Sequence, residues 1–223
     1  MVGVGIASVP VTPASTLGER LAVPGGRPPF PVIEPLTALL PGGGLRRGSV
    51  IAVRGSLLLL LALLAEATAQ GSWAAVIGVG DLGVLAAAEA GVAVRRLALV
   101  PRPGTDLAPV AAALLDGVGL VALAGADGLP ARVRQSLAAR ARQRGSVLLS
   151  LGRWPGADVE LVCRVEAWHG AEEGYGRLCS REVVVRAVGR GAAARPRAAR
   201  LLLPGPGGAV GKALGHLAIK AVI

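Results

Sequence analysis

The stretch PGGGLRRGSVIAVRG, Pro41 to Gly55, decides how the fold is read. A glycine-rich turn runs into an apolar strand-like segment, residues 49–54, which ends on Gly55. A leucine-rich segment, residues 57–70, follows at once and reads as a buried helix. Strand, glycine, helix is the order in which backbone N–H groups wrap a phosphate. A phosphate loop requires G-x-x-x-x-G-K-[S/T]. Counted from Gly55, its last three places hold Leu60, Leu61 and Ala62. The lysine that meets the β- and γ-phosphates is absent, and so is the hydroxyl that holds Mg²⁺. Five consecutive leucines, residues 57–61, cannot solvate a triphosphate. The reading is a phosphate loop turned into core, with no cofactor expected.

Outward from this stretch, strands and helices alternate. Strands are expected at 73–78, 97–100, 120–124 and 146–151, and helices at 82–90, 106–115 and 130–144. Such alternation implies right-handed crossovers and a mainly parallel sheet covered on both faces. The strands are near-continuous apolar runs, as a sheet buried on both faces requires. Beyond Trp154-Pro155-Gly156 the pattern changes to period-two alternation at 160–169 and 178–188, with a third short run at 198–203. These read as antiparallel strands extending the sheet. The fold class is therefore α/β, three layers around a mainly parallel central sheet, with antiparallel C-terminal strands. Residues 1–35 read as a flexible Pro/Gly-rich arm with one short helix near 16–23, residues 36–204 as the core, and residues 205–223 as a tail.

The length of 223 residues fits one medium domain plus tails. No run approaches the roughly 20 apolar residues that a membrane span needs. With 2% aromatics, the chain has few rings on which nucleic-acid bases could stack. The formal charge is +10, and 22 of the 24 basic residues are arginine. An acidic partner, nucleic acid or protein, is one reading of that excess; GC-rich codons are the other. The two cysteines, Cys163 and Cys179, lack metal-binding spacing, and no signal peptide is read at the start, so the expected compartment is the reducing cytoplasm.

On the GGGL-x-x-G-x-V-x-x-x-G lead-in at 42–55, and on residues 87–101 (AAEAGVAVRRLALVP), the chain resembles the RecA ATPase core over residues 39–203. Within that group, the lost phosphate loop, short chain and basic character resemble the actinobacterial ImuA-type proteins. The resemblance implies an accessory role in SOS-induced translesion synthesis. The partners it implies are a polymerase-like ImuB protein and, through it, an error-prone DNA polymerase, with association to the nucleoid when DNA is damaged. The departures from RecA matter. Where that family carries its catalytic glutamate stand Gly78, Val79 and Gly80, with Asp81 nearby. Where its fourth strand ends in an acid stands Gly125, and the next acid is Asp127. Its long second DNA-binding loop is reduced to residues 152–158. A non-catalytic chain is expected, not a recombinase filament.

Other motifs compete. Gly78, Gly80 and Gly83 make a G-x-G-x-x-G between a strand and a helix, the context of a dinucleotide site. The ribose acid is missing, since Pro101, Arg102 and Pro103 stand at the end of the next strand. A tight turn is the simpler reading, with a dinucleotide-binding enzyme as the alternative. Gly211-Lys212 fails the phosphate-loop template at two places. Two arginine groups are candidates for DNA phosphate or an acidic partner: Arg132, Arg134, Arg140, Arg142, Arg144 and Arg153, then Arg186, Arg190, Arg195, Arg197 and Arg200. Each also reads as a solvated face, the first group flanking the apolar stripe Val133, Leu137 and Ala141. Direct DNA binding is thus a further alternative. Leu214, Leu217 and Ile223 are candidate partner contacts on the tail. His169 and His216 are isolated, and no nucleophile sits at a recognisable elbow.

Overall fold

The computed structural model describes residues 27–172 and 175–213, and in it the alternation becomes a nine-stranded sheet. Strands β3 (Val50–Arg54), β4 (Ala74–Ile77), β5 (Leu97–Val100), β6 (Leu120–Ala124) and β7 (Val147–Leu151) are parallel. The long β8 (Val159–Glu172) continues this sense beside β3. Then β9 (Tyr175–Gly189), β10 (Arg197–Leu202) and β11 (Gly211–Lys212) add antiparallel neighbours. The spatial order is β11-β10-β9-β8-β3-β7-β6-β4-β5. A small second sheet pairs β1 (Phe30–Pro31) with β2 (Gly44–Leu45). The helices are α1 (Glu34–Thr37), α2 (Leu57–Ala69), α3 (Val84–Glu89), α4 (Leu107–Gly117) and α5 (Ala131–Arg144).

One sheet face is sealed by α2. Ile51, Val53, Val76, Ala122 and Leu149 meet Leu59, Leu60, Leu63 and Leu64 there. Much of the outer side of α2 is covered as well, because Phe30, Val32, Leu36, Leu39, Leu40 and Leu45 join the same cluster, while Leu57, Leu58 and Glu66 stay half-exposed. A helix covered over most of its surface must be apolar nearly all round, which is why this one is almost pure leucine and alanine. The opposite face carries α4 and α5. Val50, Ala52, Val121, Leu123 and Leu148 pack under Ala111, Leu115, Leu137 and Ala141. The expected stripe on α5 is present: Leu137 and Ala141 are buried and Val133 packs beside them.

The arm assigned to residues 1–35 is corrected at its C-terminal end. Phe30 is 3% exposed, and its ring lies so close to Gly119 that a Cβ there would stand 2.7 Å from the ring. An apolar ring removed from water by a two-strand pairing belongs to the fold. The short helix expected near 16–23 lies outside the described residues. The tail from residue 205 is corrected as well. Gly211-Lys212 pairs with Leu201 and Leu202 as the last strand, and the Lys212 ammonium sits 2.6 Å from Glu34. The expected helix at 82–90 shortens to α3.

α4 and α5 are clasped by charge. Asp116 accepts both arms of Arg140, at 2.7 Å from Nε and 2.5 Å from a terminal nitrogen, and Nε of Arg144 at 3.0 Å. Hydrogen bonding from Arg140 above all lowers its carboxyl from 3.8 to about 2. A carboxylate depressed in the fold contributes stability that is present above its ordinary pKa and is lost as pH falls through the lowered one. The gap in melting temperature between the native chain and an Asp116→Asn variant is therefore expected to close between about pH 4 and pH 2. Thermal unfolding followed by circular dichroism across that window checks this; a constant gap would contradict it.

Candidate functional site

The site to be tested lies where β3 meets α2. Arg54 ends the strand, Gly55 turns the chain, Ser56 caps the helix by accepting from the Leu59 amide at 3.2 Å, and Leu57 is already helical. Gly55 and Ser56 alone thus join strand to helix. The phosphate loop's last three places fall inside α2, with Leu60, Leu61 and Ala62 at 0%, 2% and 0% exposure. Gly55 has φ of +85°, and a Cβ there would stand 2.2 Å from the Cys163 carbonyl oxygen of β8. The glycine is required by the close approach of β8.

The shallow cleft over this turn is lined by Leu57, Leu58, Leu61, Leu82, Ala86 and Arg181. Arg181 is already engaged: its Nε donates to the Leu203 carbonyl at 2.8 Å, a terminal nitrogen reaches the Ser56 hydroxyl at 3.3 Å, and the guanidinium lies over the Trp168 ring. The acids near the expected catalytic places, Asp81 and Asp127, are both exposed. Cys163 is buried, and burial pushes its thiol up; Cys179 is exposed. Among the described residues no cluster of His, Cys, Asp and Glu could hold a metal, and no helix is long and apolar enough to cross a membrane.

The turn at residues 78–83 forms as a tight turn. Gly78 has φ of +79°, its amide donates to Val100, and it rests on the Ala124 carbonyl, where a Cβ would stand 2.9 Å away. Gly83 is different, because a Cβ there would make only ordinary contact with Ala86. The close helix–strand approach that demands the fingerprint's third glycine is therefore missing. The following helix, α3, has six residues, and Arg102 beyond β5 points to solvent.

The arginine groups divide into two kinds. Arg134 caps the Leu129 carbonyl, Arg140 and Arg144 hold Asp116, and Arg190 donates to Gly156. Arg197 donates to Leu40 at 2.9 Å, and Arg200 pairs with Glu182 at 3.3 Å. These six serve the fold. Arg132, Arg142, Arg153, Arg186 and Arg195 are exposed and, among the described residues, have neither an ion-pair nor a hydrogen-bond partner. They are scattered over α5, the turn after β7, β9 and the link to β10, so they do not form one stripe. Two further arginines emerge on the sheet, Arg54 at the end of β3 and Arg164 in β8. The alternation of Leu161, Cys163 and Val165 against Val162 and Arg164 carries the signal for the latter. Leu214, Leu217, Ile223 and His216 lie outside the described residues.

Three comparisons follow from this geometry. The family model described as MT3502 N-terminal domain matches residues 38–156. An uncharacterized protein of Mycobacterium tuberculosis, Rv3395c, is 44% identical over 131 residues, which cover 57% of this chain and 64% of that protein. This chain therefore spans less than two thirds of that relative's length. A crystal structure of the RadB recombinase superposes with a TM-score of 0.61 at 14% identity, covering 81% of this chain and 97% of that one. The fold is RecA-like.

Proposed function

Because the chain belongs to the MT3502 N-terminal domain family and has a RecA-like core, we propose that it is a non-catalytic adaptor in damage-induced, error-prone translesion DNA synthesis. In this reading it binds a polymerase-like ImuB-type protein and through it recruits an error-prone DNA polymerase. The observation that carries the reading is the two-residue turn between β3 and α2. It keeps the sheet and the glycine lead-in of an ATPase core while the phosphate-loop places are packed as leucine and alanine. Such a core is a rigid platform whose exposed faces are its means of action. The ImuA-type resemblance, drawn from the lost phosphate loop, short chain and basic character, supplies the pathway and the partner.

The test is co-purification of the full chain with an ImuB-type protein, with and without Mg-ATP, beside anisotropy of a fluorescein-labelled DNA duplex. Capture that ignores ATP is expected, with weak duplex binding. Absence of capture, together with tight duplex binding that falls steeply with salt, would replace the adaptor by a direct DNA-binding protein. The five unpaired arginines are the observation that favours this second reading, and their dispersal is what sets it behind the first.

A further inference from the structure

The layer formed by α4 and α5 stops short of the sheet's end. Those helices lie over β4, β6, β7 and β3. Beyond them, the same face of β8, β9 and β10 presents Glu160, Val162 and Arg164, then Val184, Arg186 and Val188, then Ala198, Arg200 and Leu202. The opposite parity, Leu161, Cys163, Val183, Val185 and Leu201, is buried under the α2 side. Neither core cluster includes Val162, Val184, Val188 or Leu202, and Val188 is 48% exposed. Val162, Val184 and Leu202 are half-buried, outside both clusters.

Its width suits one helix. Strands about 4.8 Å apart make a three-strand surface roughly 10–14 Å across, and a helix with side chains is about 10–12 Å thick. Its chemistry is specific too. Arg54 is neutralised by Glu160 at 2.8 Å, and Arg200 by Glu182. Arg164 and Arg186 have no ion-pair partner among the described residues. They stand directly opposite Val184 and Val162, so the free cations alternate with half-buried valines. Nucleic acid would use the cations and leave the valines wet, and no aromatic ring lies among them for a base to stack on. A second copy would set arginine against arginine. Residues 214–223 contain no acidic side chain and one lysine, so they do not complement the surface either.

We infer that the uncovered face of β8, β9 and β10 is the docking site for an amphipathic helix of another protein, its apolar stripe flanked by Asp or Glu, completing the layer begun by α4 and α5. The inference rests on the adaptor reading and names the surface through which it acts.

The test selects binders from a displayed library of 18-residue helix-patterned peptides, using the full chain as bait and the polymerase-like protein nowhere. The expected consensus has apolar residues at i, i+3 or i+4, and i+7, with acids beside them. Arg164→Glu with Arg186→Glu should weaken the selected peptide at least about tenfold, by loss and reversal of complementary charge. Both side chains are exposed, so unchanged thermal unfolding should confirm that this variant folds. A basic or unpatterned consensus, or affinity untouched by the double variant, would overturn the site. Displacement of the peptide by a DNA duplex would assign the face to phosphate instead. A gain of about tenfold in peptide affinity for full chain carrying Leu214→Glu and Leu217→Glu would assign it to the chain's own tail. Because the library omits the polymerase-like protein, failure here is separate from failure of capture.

Discussion

Gly55→Ala is expected to destabilise the fold by about 3–5 kcal/mol, the range reached when a special backbone position is also a close contact. Two causes add. At φ of +85° a side chain is strained by about 1–2 kcal/mol. The new methyl would also stand 2.2 Å from the Cys163 carbonyl oxygen. That oxygen is backbone of β8, the strand paired with β3, so relief requires the two strands or the turn to move. Gly71→Ala is the control. Its φ is +93°, yet a Cβ there meets nothing within 4 Å, so only the backbone strain of about 1–2 kcal/mol is expected. Urea unfolding of both variants measures the difference. Equal losses would mean that Gly55 is a free turn, as it would be at the mouth of an open phosphate loop.

Leu61→Lys, which restores the phosphate-loop lysine at its counted position, is expected to cost about 4 kcal/mol or more, since an ammonium would be buried without a partner. Leu61 is 2% exposed, in the lining of the apolar cleft over the turn beside Leu57, Leu58 and Leu82, where the one cation, Arg181, would repel a second. Leu61→Met keeps volume and polarity and should lose less than about 1.5 kcal/mol. No gain of Mg-ATP affinity is expected from Leu61→Lys, because the places beside it in the loop template, Leu60 and Ala62, stay packed in α2. A stable Leu61→Lys chain that binds ATP would show a phosphate loop in waiting.

Much of this architecture is legible in the sequence, because apolar periodicity is a local property. β5 and β6 fall at the expected residues, and β3, β7, α2 and α5 within one residue at each end. The loss of the phosphate-loop residues is readable from Leu60, Leu61 and Ala62 alone, and the structure adds that Gly55 is required by its approach to β8. What is illegible depends on distant partners. Phe30 looks like part of an arm until Gly119, 89 residues on, makes room for its ring. Gly211-Lys212 looks like a tail until it finds the free edge of β10. The arginines show the same limit. Spacing gathers them into two groups, but Arg197 answers to Leu40 and Arg140 to Asp116, acceptors that no local window contains. Arg164 is passed over for the opposite reason: its strand reads as simple alternation, and only the sheet order reveals that, among the described residues, α4 and α5 stop short of its side.

The measurement that bears most directly on the account is calorimetric titration of Mg-ATP into the full, unaltered chain. With the loop's places packed into α2, no saturable heat is expected up to about 1 mM nucleotide, where binding would be worth only about 4 kcal/mol. Saturable binding at micromolar concentration, weakened by Gly55→Ala, would contradict the account and return the β3–α2 turn to the role of a nucleotide site.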